Sequence, residues 1–266
     1  LAMTSLGVYG IMLAGWSSNN KFSLIGGLRS AAQMVSYELA MGMGVVAMFM
    51  TYGTTRLDTI MQIQSESILN WGVLLSPPVG LIAFVLFWVS AFAECNRNPF
   101  DLPEGEAELV AGYHTEYSSL RFALFFMAEY ANMVTICCVA TLLFLGGWYP
   151  IVPSPVADYI PTLVHLAGGG MLIFHGLQPA RKWDKFTMPV FGVAFLAVGL
   201  LFLVPFLQPI LLPLFWFISK VGILLFFFIW VRATLPRFRY DQLMRFAWAF
   251  MFPVSVVHLF VTAFLV

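Results

Sequence analysis

An all-α, polytopic bundle of about eight membrane-spanning helices is the fold class this sequence predicts, and three observations predict it. Hydrophobic residues fill 61% of the 266 positions and charged residues only 10%, too few to coat a soluble domain. Apolar runs of about 20 residues, the length that crosses a bilayer as helix, recur along the whole chain. Nearly all basic residues fall in alternate connections between those runs, as the orientation rule for membrane helices requires.

Taken in order, spans are expected at 1–15, 31–52, 71–92, 122–145, 160–178, 187–206, 210–231 and 246–266. The first begins LAMTSLGVYGIMLAGW with neither an initiator Met nor a basic leader, so it is read as a helix entered partway along, not as a signal peptide. The fifth is the weakest: it holds His165, three glycines at 168–170 and His175, and a re-entrant or interfacial helix is the alternative there. Residues 1–266 are read as one integral membrane domain with no soluble domain, linker or internal repeat.

Alternation of these spans gathers the loops 16–30, 93–121, 179–186 and 232–245 on one face. They carry Lys21, Arg29, Arg97, Arg121, Arg181, Lys182, Lys185, Arg232, Arg237, Arg239 and Arg245, while only Arg56 and Lys220 lie elsewhere. That face is read as the cytoplasm or an organelle matrix. Dropping either 160–178 or 187–206 would scramble the bias, so both are kept as spans. Zero formal net charge argues against nucleic-acid partners. Cys95, Cys137 and Cys138 form no CxxC pair, which argues against a zinc site, an iron–sulfur ligand set or a disulfide scaffold.

Against this apolar background, residues 93–133 hold Glu94, Asp101, Glu104, Glu106, Glu108, Glu116 and Glu129, seven of the thirteen acidic residues. Carboxylates facing lipid or a dry interior are costly, so such clusters mark ion or proton paths. Pro99 and Pro103 interrupt helix there, and Asp101 is placed to cap a short helix over about 103–111. On it Glu104 and Glu108 share a face while Glu106 points about 160° away. A solvated loop helix explains those glutamates taken singly. It does not explain Glu38 and Glu129, which lie within spans nine and eight residues past Arg29 and Arg121, both about 12 Å deep at helical rise. Matched depth permits a shared water-filled cavity, with Glu94 linking the pair to the loop. A single buried glutamate hydrogen-bonded to a neighbouring helix is the bland alternative, and two at one depth favour the relay. His114 is a polar member of it or merely a loop residue. His165, His175 and His258 give no matched pair for haem, and no nucleotide-binding or hydrolytic motif is present.

The segment AECNRNPFDLPEGEAELVAGYHTEYSSLRFALFFMAEYANM resembles the signature of the NuoH family, the quinone-site membrane subunit of respiratory complex I (NADH:quinone oxidoreductase). GWSSNNKFSLIGGLRSAAQMVSYEL and WVRATLPRFRYDQLMRFAW resemble the same family in the same order, so the likeness covers about 1–148 and 214–266. It implies a helical subunit forming part of a quinone chamber, with quinone reduction coupled to proton pumping through an acidic channel. That channel would comprise Glu38, Glu94, Asp101, Glu104, Glu106, Glu108, Glu116 and Glu129, and the chamber lining Arg97, Phe126 and Met127 with Arg29 nearby. Arg232, Arg237, Arg239, Tyr240 and Asp241 would meet the peripheral arm. Implied partners are the peripheral-arm quinone-site and iron–sulfur subunits, small membrane-arm subunits and membrane lipid. Quinone (ubiquinone or menaquinone) is the implied substrate, FMN and iron–sulfur clusters belong to partner subunits, and no metal or haem is expected in this chain. The implied location is a bacterial inner membrane, with the mitochondrial inner membrane as second choice.

Three departures accompany the likeness. The family's first two helices and intervening amphipathic helix are read as absent, 149–209 reads as an inserted helical pair, and Cys95 stands where threonine is usual. The alternative is the membrane anchor of a related membrane-bound hydrogenase. A stand-alone transporter would show inverted repeats, and a purely structural anchor leaves Glu38 and Glu129 unexplained.

Overall fold

A computed structural model of the chain describes residues 6–102, 110–151, 155–177 and 183–266. Helix α1, Gly7–Ser17, and helix α2, Lys21–Tyr52, are joined by a tight turn in which Asn20 caps α2 by accepting from the Phe22 N–H at 2.9 Å. Expected to start near 31, α2 in fact begins ten residues earlier and runs 32 residues, about 48 Å at helical rise. The glycines at 26 and 27 serve close packing. A Cβ at Gly27 would come within 3.3 Å of the Gly15 Cα on α1. Gly53, left-handed at φ 64°, ends the helix.

Helix α3, Leu57–Glu66, was not expected. Its ten residues are too few for a periodic signal, yet Ile60, Met61 and Gln64 are buried and Gln64 donates to the Leu143 carbonyl at 3.0 Å. Helix α4, Val79–Glu94, starts later than expected because Pro77 and Pro78 stop helix before it. Helix α5, Ser119–Phe144, follows the acidic loop. Helices α6, Ile160–Leu177, and α7, Asp184–Leu201, form a glycine-packed pair in which a Cβ at Gly169 would meet the Gly192 carbonyl at 2.8 Å. Within the pair, His165 and His175 each bond the carbonyl four residues back. Helix α8, Gln208–Thr234, leads to helix α9, Tyr240–Phe246, which passes through a π-helical turn, Ala247–Met251, into helix α10, Phe252–Leu265.

Six of these stretches are long and apolar enough to cross a membrane, α9 and α10 counting as one, and α4 is a shorter apolar helix. At the fifth expected span the helix, Val156–Leu177, is long and apolar enough to cross a membrane. No strand occurs among the described residues. The chain is an all-α polytopic membrane bundle. α2 lies at its centre, against α1, α4, α10 and the turn Gly112–His114. The apolar core fills the space between α2, α4, α5, α8 and α9, with Tyr37, Met48, Phe87, Phe144, Phe228 and Leu243 fully enclosed.

Candidate functional site

Two polar anchors on α2 fix the flanks of the acidic loop. Gln33, fully buried, donates from Nε2 to the carbonyls of Ala93 at 2.8 Å and Phe100 at 2.7 Å, clasping the turn that follows α4. Three turns nearer the N-terminus, Ser23 donates to the Tyr113 carbonyl at 3.1 Å. Gly26 permits that approach, since a Cβ there would stand 2.8 Å from the Tyr113 nitrogen and 2.9 Å from the Gly112 Cα. The α1–α2 turn holds the same loop through Asn20, which donates to Glu116 at 2.7 Å, and α1 holds it through the Ala14 carbonyl, which accepts from Tyr117 at 3.0 Å.

With both flanks held, α4, α5 and the loop converge on one cavity of about 470 Å³. Glu94, Cys95, Asn96, Tyr113, Glu129 and Asn132 line it, with Met34 of α2 and Gly7, Gly10 and Ile11 of α1. Asn96 adopts a left-handed backbone at φ 48°, which asparagine tolerates, and so turns the chain sharply after Glu94. Arg97 and Glu129 form an ion pair, Nη2 to Oε2 3.3 Å, with side chains only 7% and 10% exposed. The Tyr113 hydroxyl donates to Glu129 Oε1 at 3.1 Å, and the guanidinium of Arg97 lies 4.5 Å from the Tyr130 ring centroid. Glu94 is 6% exposed, and its Oε2 has no hydrogen-bond partner. One buried carboxylate of the cavity is thus held by a cation and a phenol, while the other keeps an open acceptor.

Glu38 stands apart from this cavity, in a groove of about 450 Å³ between α2 and α10 lined also by Met41, Gly42 and Leu259. It is close enough to Glu94 for their like charges to interact. Asp101 is half-buried in the turn after α4, and Glu116 is exposed. Glu104, Glu106 and Glu108 lie outside the described residues, as does most of the helix expected over 103–111. Of the expected chamber residues, Arg97 joins the cavity through Glu129. Phe126 packs on the His114 ring at 5.6 Å, Met127 is 63% exposed, and Arg29 lies over the Tyr240 ring at 5.6 Å. Arg232, Arg239 and Asp241 are exposed, and Arg237 and Tyr240 are half-buried.

His114 is buried among Tyr113, Phe122, Phe125 and Phe126, and that burial pushes its pKa down to about 4. It is neutral at pH 7, able to hydrogen-bond but not to carry charge. Burial beside Glu94 pushes the Cys95 thiol well up, so it remains a thiol. No group of three or more metal-ligating side chains occurs among the described residues.

Sequence reasoning missed Tyr113, Gln33 and Asn132. Gln33 is the one with a usable signal, as an uncharged polar residue in an otherwise apolar stretch of α2.

Residues 1–263 match the family model described as NADH dehydrogenase. The chain is 56% identical over 269 residues to the first of two NADH-quinone oxidoreductase H subunits of Solibacter usitatus, covering 100% of this chain and 67% of that relative. Identity to the second such H subunit of Koribacter versatilis is 46% over 266 residues, covering 100% and 61%. For the second H subunit of Geobacter metallireducens it is 43% over 266 residues, covering 100% and 59%. The chain thus spans about three-fifths to two-thirds of the length of these relatives.

Proposed function

The chain belongs to the NADH dehydrogenase family that includes the H subunits of NADH-quinone oxidoreductase, and from that premise we propose that it forms part of the quinone chamber and of the acidic proton-coupling path of such an enzyme. The observation that carries this reading is the pair of carboxylates, Glu94 and Glu129, opening from two helices into one cavity with unequal partners. The open Oε2 of Glu94 accepts a proton without breaking an existing bond. Arg97 and Tyr113 hold Glu129 in one orientation, so its charge is a fixed reference beside a neighbour that changes state. Glu38, within electrostatic reach of Glu94, continues the path toward the α2–α10 groove. Asp101, Glu104, Glu106, Glu108 and Glu116 supply it from the cytoplasmic loop.

Quinone, as ubiquinone or menaquinone, is the substrate class, with Arg97, Phe126, Met127 and Arg29 contributing to its chamber. Electrons reach it from FMN and iron–sulfur clusters held by partner subunits. The arginine-bearing face is cytoplasmic in a bacterial inner membrane by charge bias. There Arg232, Arg237, Arg239, Tyr240 and Asp241 meet the peripheral arm.

The test is Glu94→Gln and Glu129→Gln in the assembled complex, measuring quinone reduction, protons moved per electron and subunit content. Glu94→Gln is expected to cut coupled turnover by about a hundredfold, the scale of a lost proton-transfer group, with subunit content unchanged. Wild-type turnover and stoichiometry in both variants would remove the two residues from the path.

A further inference from the structure

Helix α10 buries its polar side chains and exposes its apolar ones. The buried residues are Ser255, His258 and Thr262, while Val257, Phe260 and Phe264 are exposed. Spacings of three and four set the polar three in one stripe along the helix. The π-helical turn Ala247–Met251 comes just before it. A π turn takes in one extra residue, which rotates everything after it, and such turns concentrate at functional sites.

His258 is the ionisable member of the stripe. Its Nε2 lies 2.9 Å from the Val79 carbonyl on α4. A carbonyl only accepts, so Nε2 carries the hydrogen and Nδ1 is a bare lone pair. That Nδ1 is buried and has no hydrogen-bond partner, in a residue only 4% exposed. His165 and His175, by contrast, each engage Nδ1 with a carbonyl of their own helix. An unmatched base inside an apolar bundle is costly, and ionisable groups kept at membrane depth mark proton relays.

The stripe begins beyond Glu38, toward the membrane face opposite the arginine loops. Trp248 donates to the Ser36 hydroxyl at 3.1 Å and Ser255 contacts Met43 Sδ at 3.7 Å, so α10 runs parallel to α2. Ser255 is thus level with a residue five past Glu38, and His258 lies about 12 Å beyond that glutamate at helical rise. The groove that holds Glu38 continues past Met43 and Val46 to Leu259, the neighbour of His258. On its other side His258 is the one polar side chain lining a cavity of about 330 Å³, which reaches Pro78 and Val79 at the start of α4 and Leu265 at the end of α10. The imidazole stands between the two spaces.

We propose that His258 carries protons through the far half of the path, between Glu38 and the membrane face opposite the arginine loops. The proposal rests on the reading of Glu38 as a member of that path. Nδ1 gains the proton that the Glu38 carboxyl loses, passed by water along the groove beside Ser255. The imidazolium keeps its Nε2–H on the Val79 carbonyl, and the neutral ring returns when a proton leaves through the α4–α10 cavity. No electron moves in this step.

The test uses His258→Gln and His258→Phe in the assembled complex, reconstituted in sealed vesicles, with quinone reduction, protons moved per electron and thermal stability as readouts. Glutamine can still donate to the Val79 carbonyl but takes up no proton, and phenylalanine keeps a ring without either capacity. Coupled turnover is expected to fall about a hundredfold in both, the scale of a lost proton-transfer group, with stability kept in His258→Gln and lowered in His258→Phe. A histidine that only fastens α10 to α4 would leave His258→Gln pumping normally, and that result overturns the proposal. Normal coupled turnover in His258→Phe overturns it too, as does a His258→Gln complex that fails to assemble, since packing would then be the role of the ring. Glu94→Gln and Glu129→Gln are measured alongside. Losses there beside a normal His258→Gln remove the histidine alone, whereas wild-type values in all four variants remove the path itself.

Discussion

Lys220 on α8 and Glu94 at the end of α4 are both ionisable, both only 6% exposed and both set in an apolar bundle, yet their surroundings differ in kind. Lys220 donates from Nζ to three backbone carbonyls, those of Leu145 at 2.6 Å, Gly147 at 3.1 Å and Tyr149 at 2.7 Å, and sits 4.4 Å from the Trp71 ring centroid. An ammonium has three N–H donors, and all three are used. Glu94 faces a cavity with one acceptor unspoken for. The lysine closes the end of α5 onto α8. The glutamate keeps capacity at the cost of an unsatisfied atom. The two groups thus differ in how far their donors and acceptors are satisfied, not in burial.

The sharpest way to break the comparison is Lys220→Met. It removes three bonds to a charged donor at once and strands the carbonyls that cap α5, a loss on the order of 4 kcal/mol or more at 1.5–3 kcal/mol per bond. The expected outcome is a large fall in subunit content and thermal stability of the complex, with an unchanged proton stoichiometry in whatever assembles. A stable variant with altered stoichiometry would put Lys220 on the working side of the divide.

Next in size is the Arg97–Glu129 pair, which lies between the two extremes. Removing one member of a buried pair costs about 3–5 kcal/mol because the other charge is left behind. Arg97→Gln is therefore expected to destabilise the complex more than the Arg97→Gln, Glu129→Gln double variant does. Thermal denaturation of the four members of that cycle measures the coupling. Additive losses would mean the two side chains act independently. Arg97→Ala is also expected to weaken binding of quinone-analogue inhibitors.

A smaller effect is expected at Gly26. Adding a methyl there presses on the backbone of Gly112 and Tyr113, overpacking that costs about 1–3 kcal/mol. Displacement of the loop would draw the Tyr113 hydroxyl away from Glu129. Gly26→Ala should therefore reproduce the turnover of Tyr113→Phe, and normal turnover in Gly26→Ala beside impaired Tyr113→Phe would separate the two.

These residues also show where sequence was enough and where it was not. Run length located a helix for every expected span, because an apolar stretch of about 20 residues has few other fates. It failed at α3, whose single buried face spans only Ile60, Met61 and Gln64, and at the start of α2, where Gly26 and Gly27 look like breakers until their neighbours are known. Of the expected site residues, Glu94 and Glu129 drew attention because charge is rare in such a chain, and Arg97 through the family resemblance. Tyr113 did not, since nothing in one dimension tells that it and Ser23, ninety residues apart, touch. Rotation about the helix axis was equally hidden. Met127 and Glu129 are two residues apart on α5, yet one is largely exposed and the other lines the cavity.

The smallest effect concerns His114, and it sharpens the comparison by adding a buried group that is kept uncharged. Its pKa lies near 4 in the folded protein because burial disfavours the cation, against about 6.5 when unfolded. Between those values the unfolded chain binds the extra proton, so stability contributed by neutral His114 is complete above pH 6.5 and is lost as pH falls toward 4. His114→Phe keeps a ring against Tyr113 and Phe126 but has nothing to protonate. Its thermal stability should therefore decline less than that of the unmodified complex between pH 6.5 and 4, while turnover at pH 7, where both rings are neutral, stays close to normal. His114→Gln, polar and equally unable to titrate in this range, should flatten the same window. Parallel stability curves for all three proteins would show that the histidine is charged in the native fold, and would return it to the proton path as a titrating member.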